Sequence, residues 1–303
     1  MTPQRDDPGE QLLPRLRAWR RHNIHIGLSP RTSPFWSGLL YREPHGGVRE
    51  YARLFDTALF RCDARYRTDP APVSLMKEHA GEGFAWTLLV DDEQMVYRFP
   101  YGHPDRNRRG EVNPHFLDPR RIVESFVPVL SLLEPSVRVV MLKIGIIGRT
   151  EALDFDGFLR ALLGCLDALP PAYRYAVENG TSRFVLPEYL ECLRRRGVIH
   201  VPAPVGLHDA VRMPGAFGAG ACVLRTACLA MEEEGEEWAA FRETVRFCLG
   251  EEKALYAYCT DGREAAFPGA PPEEGAGVRR LTRLLAGLDS ELARRSPIRR
   301  KAA

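Results

Sequence analysis

The sequence lacks the patterns that announce a particular reaction. No glycine-rich phosphate loop follows the first apolar segment, where Leu28-Ser29-Pro30-Arg31 stands instead. No Walker loop and no Gly-x-Ser-x-Gly elbow occurs. There is no Cys-x-x-Cys pair either. The seven cysteines are odd in number and scattered among apolar neighbours, which reads as buried, reduced thiols in a reducing compartment. Structural zinc has no ligand spacing to stand on, and neither a metal nor a cofactor is expected. A net charge of only +2 excludes bulk attraction to polyanions and leaves that role to local basic patches. No apolar run reaches the length of a membrane span, and the first residues lack the apolar core of a signal peptide. A cytoplasmic protein with no membrane partner is the expectation.

What is present is repetition of one unit. Tyr173–Gly180, YRYAVENG, is a run of strand formers ending in a carboxylate and a turn, and the helical pattern PEYLECLRRRG follows it. Similar units predict strands at Asn23–Leu28, Asp56–Phe60, Phe84–Val90, Val137–Ile144, Tyr173–Glu178, Val198–Val201, Ala221–Arg225 and Ala254–Cys259. Helical periodicity fills most of the gaps between them. Eight such units in 303 residues predict an α/β fold, a single (β/α)8 TIM barrel over residues 23–294. Residues 1–22 form a short N-terminal extension whose Leu12, Leu13, Leu16 and Trp19 share a helical face. Residues 295–303 are a basic tail. The helix over Pro119–Leu133 is expected to break or end near Pro128, and Asp154 to cap the helix after it.

Ligands of such a barrel gather at the carboxyl ends of its strands. Glu178 and Asn179 end the fifth strand, Lys143 the fourth and Arg225 the seventh, and Asp261 follows the eighth. Alternation places Glu178 with Ala176, Lys143 with Met141, and Arg225 with Val223. If these are inward faces, an acid and two bases share the mouth. They could hold an anionic ligand, with Glu178 as general acid or base, or simply close an ion-pair network. His25, in an apolar strand, reads as a core histidine. The long segment 91–118 interleaves aromatic and basic residues. Tyr97, Phe99 and Tyr101 alternate as in a hairpin arm, and Arg106, Arg108 and Arg109 fall at its tip with nothing apolar to anchor them. Nucleic acid could bind through this 97–110 loop.

IHIGLS followed by FWSGLLY, with Gly27, Trp36, Gly38 and Tyr41, resembles the opening of the YecE-like family, domain of unknown function 72. EYARLFDTALF with RYR resembles the region of its second strand. YRYAVE carries the family glutamate at Glu178, VLR its arginine at Arg225, and YAYCTDG resembles the closing strand. The resemblance implies a TIM barrel from a family without an established activity, and adds Trp36 to the candidate ligand-binding residues. The polar mouth departs from the family. Its Ser-Gly-Trp turn is Ser29-Pro30-Arg31 here, its Arg-His-Pro after the glutamate is Asn179-Gly180-Thr181, and its asparagine pair is Cys259-Thr260. Three readings follow. One is a hydrolase or lyase acting on a small anionic or phosphorylated ligand. The second is a nucleic-acid-binding or phosphodiesterase-like protein. The third is a non-catalytic barrel serving as a protein–protein scaffold. The residues fit a catalytic and a non-catalytic chain alike and specify no protein partner.

Overall fold

A computed structural model of the chain describes residues 8–29, 47–62, 66, 69–90, 93–202, 220–226, 235–260 and 276–293. Eight strands alternate with helices along them: α1 Pro8–Arg20, β1 Ile24–Ser29, α2 Val48–Leu54, β2 Thr57–Arg61, α3 Ala71–Ala80, β3 Ala85–Val90, α4 Pro119–Leu133, β4 Val137–Ile144, α5 Phe155–Ala168, β5 Tyr175–Asn179, α6 Pro187–Arg195, β6 Ile199–Val201, β7 Ala221–Thr226, α7 Glu236–Gly250, β8 Ala254–Thr260 and α8 Ala276–Ala293. The strand pairs β1–β8, β7–β8, β3–β4, β4–β5 and β5–β6 are all parallel. This is the (β/α)8 TIM-barrel class that the sequence predicts.

The chain divides into two compact units. One takes the residues up to Ala58 and from Gly220 on, and holds a sheet of order β1-β8-β7. The other draws mainly on Leu59–Gly206, which carries β3 to β6 of a sheet of order β2-β3-β4-β5-β6.

In the second unit the apolar run of β4 has its reason in burial on both faces. Val139, Val140, Met141 and Leu142 are all inaccessible to solvent. One face of this sheet meets the helices: His200 of β6 reaches the hydroxyl of Tyr189 in α6 at 3.3 Å. The helix α4 runs unbroken through Pro128. The missing N–H costs one backbone bond. Burial of Ile122, Phe126, Val129, Leu130 and Leu133 on one stripe outweighs it, since each such side chain contributes about 1.5–3 kcal/mol. Asp118 caps the helix through Arg120 N at 3.0 Å. Asp154 caps α5 through Gly157 N at 2.8 Å, as its sequence predicts.

In the first unit the N-terminal extension is structured. Leu12 and Trp19 are fully buried and Leu16 nearly so, and α1 packs on α8, β1 and α2. Arg15 donates to the carbonyl of Thr282 at 3.1 Å. The crossing of β1 over the start of β2 is very close. A Cβ on Gly27 would lie 2.5 Å from the carbonyl oxygen of Thr57 and 2.9 Å from Oη of Tyr51, so only glycine fits. Tyr51 Oη donates to that carbonyl at 2.7 Å and accepts from Leu28 N at 2.9 Å.

The cysteines depart from expectation. Cys62, Cys165, Cys192, Cys222 and Cys248 are free, but Cys259, near the end of β8, is disulfide-bonded. An odd count excludes complete pairing, not one bridge, and linear spacing carries no record of which thiols the fold brings together. No helix among the described residues is long and apolar enough to cross a membrane.

Candidate active site

The carboxyl end of β5 supplies the central group. Glu178 stands in register with Lys143 of β4 and Val201 of β6. Neighbours in parallel register project to the same side, so Glu178 and Lys143 share a face with Ala176, Met141 and Val139. That face is opposite the one on which His200 meets Tyr189, so the pair stands on the side of the sheet away from the helices. Glu178 is 5% exposed and Lys143 half-buried. A carboxylate and an ammonium thus stand on adjacent strand ends of one face, one of them nearly dry, beyond the buried Ala176 and Met141.

Asn179 has the other parity. It stands in register with Ile144 on the helix side, and its Oδ1 accepts from Thr181 N at 2.9 Å, a local Asx turn. Its Nδ2 is buried and finds no hydrogen-bond partner among the described residues. The turn it shapes joins the exits of β4 and β5. Gly180 N donates to Ile144 O at 3.0 Å, and Ile147 N donates to Thr181 Oγ1 at 2.8 Å. A Cβ at Gly180 would be 2.9 Å from that same Ile144 oxygen, which is why glycine follows Asn179. Arg183 donates to the carbonyls of Ile147 and Gly148 at 2.6 and 2.8 Å. Thr181 and Arg183 were not singled out from the sequence. Their signal is the Asn-Gly-Thr turn, which fixes where the hydroxyl must fall.

The exit of β3 is bound to the same rim. Gly145 N donates to Met95 O at 2.8 Å, and Arg98 holds both carboxylate oxygens of Glu151 at 2.6 Å. That bidentate pair pulls the Glu151 carboxyl below its ordinary range. Residues 97–99 and 110–113 form an antiparallel arm, with Asn113 N on Tyr97 O at 2.8 Å and Gly110 N on Phe99 O at 3.1 Å. The expected arm is present, but its tip is anchored rather than loose. Phe99 and His103 are buried and lie 5.0 Å apart. Arg108 lies over Phe99 and pairs with Glu93 at 2.7 Å, and Arg109 donates to His103 O at 2.7 Å. Apolar burial beneath the arginines draws them onto the protein itself.

In the other unit Arg225 stands in register with Tyr258, and Tyr258 with Gly27. The opposite face of β7 carries Cys222, whose thiol meets Cys248 of α7. Arg225 is therefore on the helix-free face of its own sheet, 2% exposed. Tyr258 Oη lies 3.0 Å from Thr57 Oγ1. His25 is not a plain core residue. Its Nδ1 lies 2.6 Å from Asp56, which Arg20 also approaches at 3.2 Å, and its ring stacks on Tyr256. Trp36 and Asp261 lie outside the described residues. Among the described residues no three His, Cys, Asp or Glu side chains gather as metal ligands.

Comparison of the backbone with solved structures finds two DUF72 family proteins. One, from Thermotoga maritima MSB8, matches with a TM-score of 0.54 at 14% identity, over 87% of this chain and 99% of its own. The other, from Enterococcus faecalis V583, gives 0.53 at 11% identity, over 87% of this chain and 95% of its own. The fold is that of the DUF72 proteins. The likeness spans almost the whole of each solved chain and supports the YecE-like resemblance seen in the strand motifs. At such identities it speaks for the backbone alone. No family model matches the sequence, and no curated protein matches it.

Proposed function

We propose that the carboxyl ends of β4 and β5 form an acid–base site for a small anionic ligand, of the hydrolase or lyase kind. The observation that carries this reading is the register of Lys143 with Glu178 on the helix-free face of the sheet. In this role Lys143 neutralises the anion, carboxylate or phosphate, and Glu178 passes a proton to or from the bond that changes. The position agrees with the habit of the fold, in which chemistry collects at the carboxyl ends of strands. The lashed exits of β3, β4 and β5 supply what such a pair needs, a rim that holds its geometry.

The test begins with binding. Thermal shift across a panel of phosphorylated and carboxylated metabolites is expected to yield at least one stabilising anion. Lys143→Met should abolish that shift. Glu178→Gln should keep it, while turnover of the same compound, followed by NMR, falls about 100-fold or more. A stabilising anion whose shift survives Lys143→Met refutes the site, and undiminished turnover in Glu178→Gln refutes the role of the carboxylate.

A further inference from the structure

Six large apolar side chains are exposed among the described residues: Leu75, Tyr101, Val112, Ile146, Leu186 and Phe247. Four of them, Tyr101, Val112, Ile146 and Leu186, fall in the segments that leave β3, β4 and β5. Tyr101 is 82% exposed and Ile146 81%. Single exposed hydrophobics need no explanation, but their concentration on one rim does. Nor is the rim a loose loop that merely happens to expose them. Tyr101 lies over Gly110, the arm is paired along its length, and the Arg98–Glu151 bridge ties it to the segment carrying Ile146. A preorganised apolar surface loses little entropy when it is covered.

The charges indicate what covers it. Arg98 is neutralised by Glu151 and Arg108 by Glu93, and over residues 93–118 the four arginines are matched by four carboxylates. That leaves no strong net field for a nucleic-acid backbone, which needs unneutralised cations. At the arm itself Arg106 and Glu111 are both exposed, and neither makes an ion pair among the described residues. Arg106 and Glu111, of opposite charge beside an apolar patch, are self-complementary. In a two-fold contact, Arg106 of each copy can meet Glu111 of the other while the apolar side chains close on themselves.

We propose that this rim, centred on Tyr101 and Ile146, is the contact face of a homodimer. The proposal does not rest on the acid–base reading of Lys143 and Glu178. Analytical ultracentrifugation of the full chain, from low micromolar to several hundred micromolar, reads it directly. The mass is expected to rise with concentration to twice that of the monomer. Tyr101→Ser with Ile146→Ser should raise the dissociation constant about tenfold or more. Circular dichroism should be unchanged, because both residues are exposed. Arg106→Glu or Glu111→Arg alone should weaken the dimer, and the two together should restore it. A wild-type protein that stays monomeric throughout overturns the proposal, as does a dimer indifferent to the serine pair. A monomer that instead retains a labelled oligothymidylate at physiological salt overturns it too, and assigns the face to nucleic acid.

Discussion

His200 offers a measurement in which burial alone sets the outcome. It is 3% exposed in β6, its ring edge-on to Tyr189 with Nδ1 3.3 Å from the hydroxyl. Burial pushes its pKa from the ordinary 6.5 down to about 4. The same burial raises the Tyr189 phenol, which stays protonated and can donate to Nδ1 of the neutral ring. The folded state therefore keeps the imidazole neutral, while the unfolded chain accepts a proton at its ordinary pKa. Stability from this site is complete above the unfolded value, falls as pH drops below it, and stops falling once pH passes the folded value. Between about pH 7.5 and about pH 5 the loss is about 2 kcal/mol, taking 1.36 kcal/mol per unit. Urea unfolding at both pH values, followed by far-UV circular dichroism, gives the difference for the wild type. His200→Gln keeps an acceptor near Tyr189 but cannot titrate in this range. Every other group contributes equally to both proteins, so the variant should show a pH dependence smaller by about 2 kcal/mol. Equal slopes in the two proteins would refute the argument that His200 is held neutral.

Other outcomes are as direct. Gly27→Ala pushes a methyl into the Thr57 carbonyl and should cost about 1–3 kcal/mol or prevent folding, read as loss of soluble protein or of melting temperature. Glu291 is buried between Arg242 and Arg246, at 2.8 and 2.7 Å. Glu291→Gln should destabilise by about 1–3 kcal/mol, the larger part felt where α7 meets α8 in hydrogen exchange. Reduction should add two hydrogens to the intact mass at the Cys259 bridge and lower stability by about 2–4 kcal/mol. Cys165, its thiol pushed up to about 12 by burial, should resist alkylation in the native protein at neutral pH.

Local pattern made the strands and most helices readable from the sequence. The near-continuous apolar run of β4 and the period of α5 each describe a surface that must be covered, and the structure covers them. That Lys143 and Glu178 share a face is legible for the same reason, since alternation is a property of one strand and register links the two. Asn179, the next residue along, takes the other face. Tertiary geometry was silent in the sequence. Pro128 looked like a break because the packing stripe that outweighs it is formed by other elements. The arginine tip looked unanchored because Phe99 and Glu93 are brought beneath it only by the arm. The bridge at Cys259 could not be seen, since the spacing of cysteines along the chain does not show which pair in space.

The packing of α1 on α8 also sets an order of events in time. The Arg15–Thr282 bond spans a sequence separation of 267 residues. A chain emerging from the ribosome thus carries α1, with its apolar Leu12, Leu16 and Trp19, long before its partner exists. The other unit draws mainly on Leu59–Gly206, which is complete much earlier. During synthesis the opening helix is an exposed apolar segment waiting for the end of the chain. Its exposed Arg17 and Arg20, three residues apart in the last turn, keep one side of it solvated through that wait.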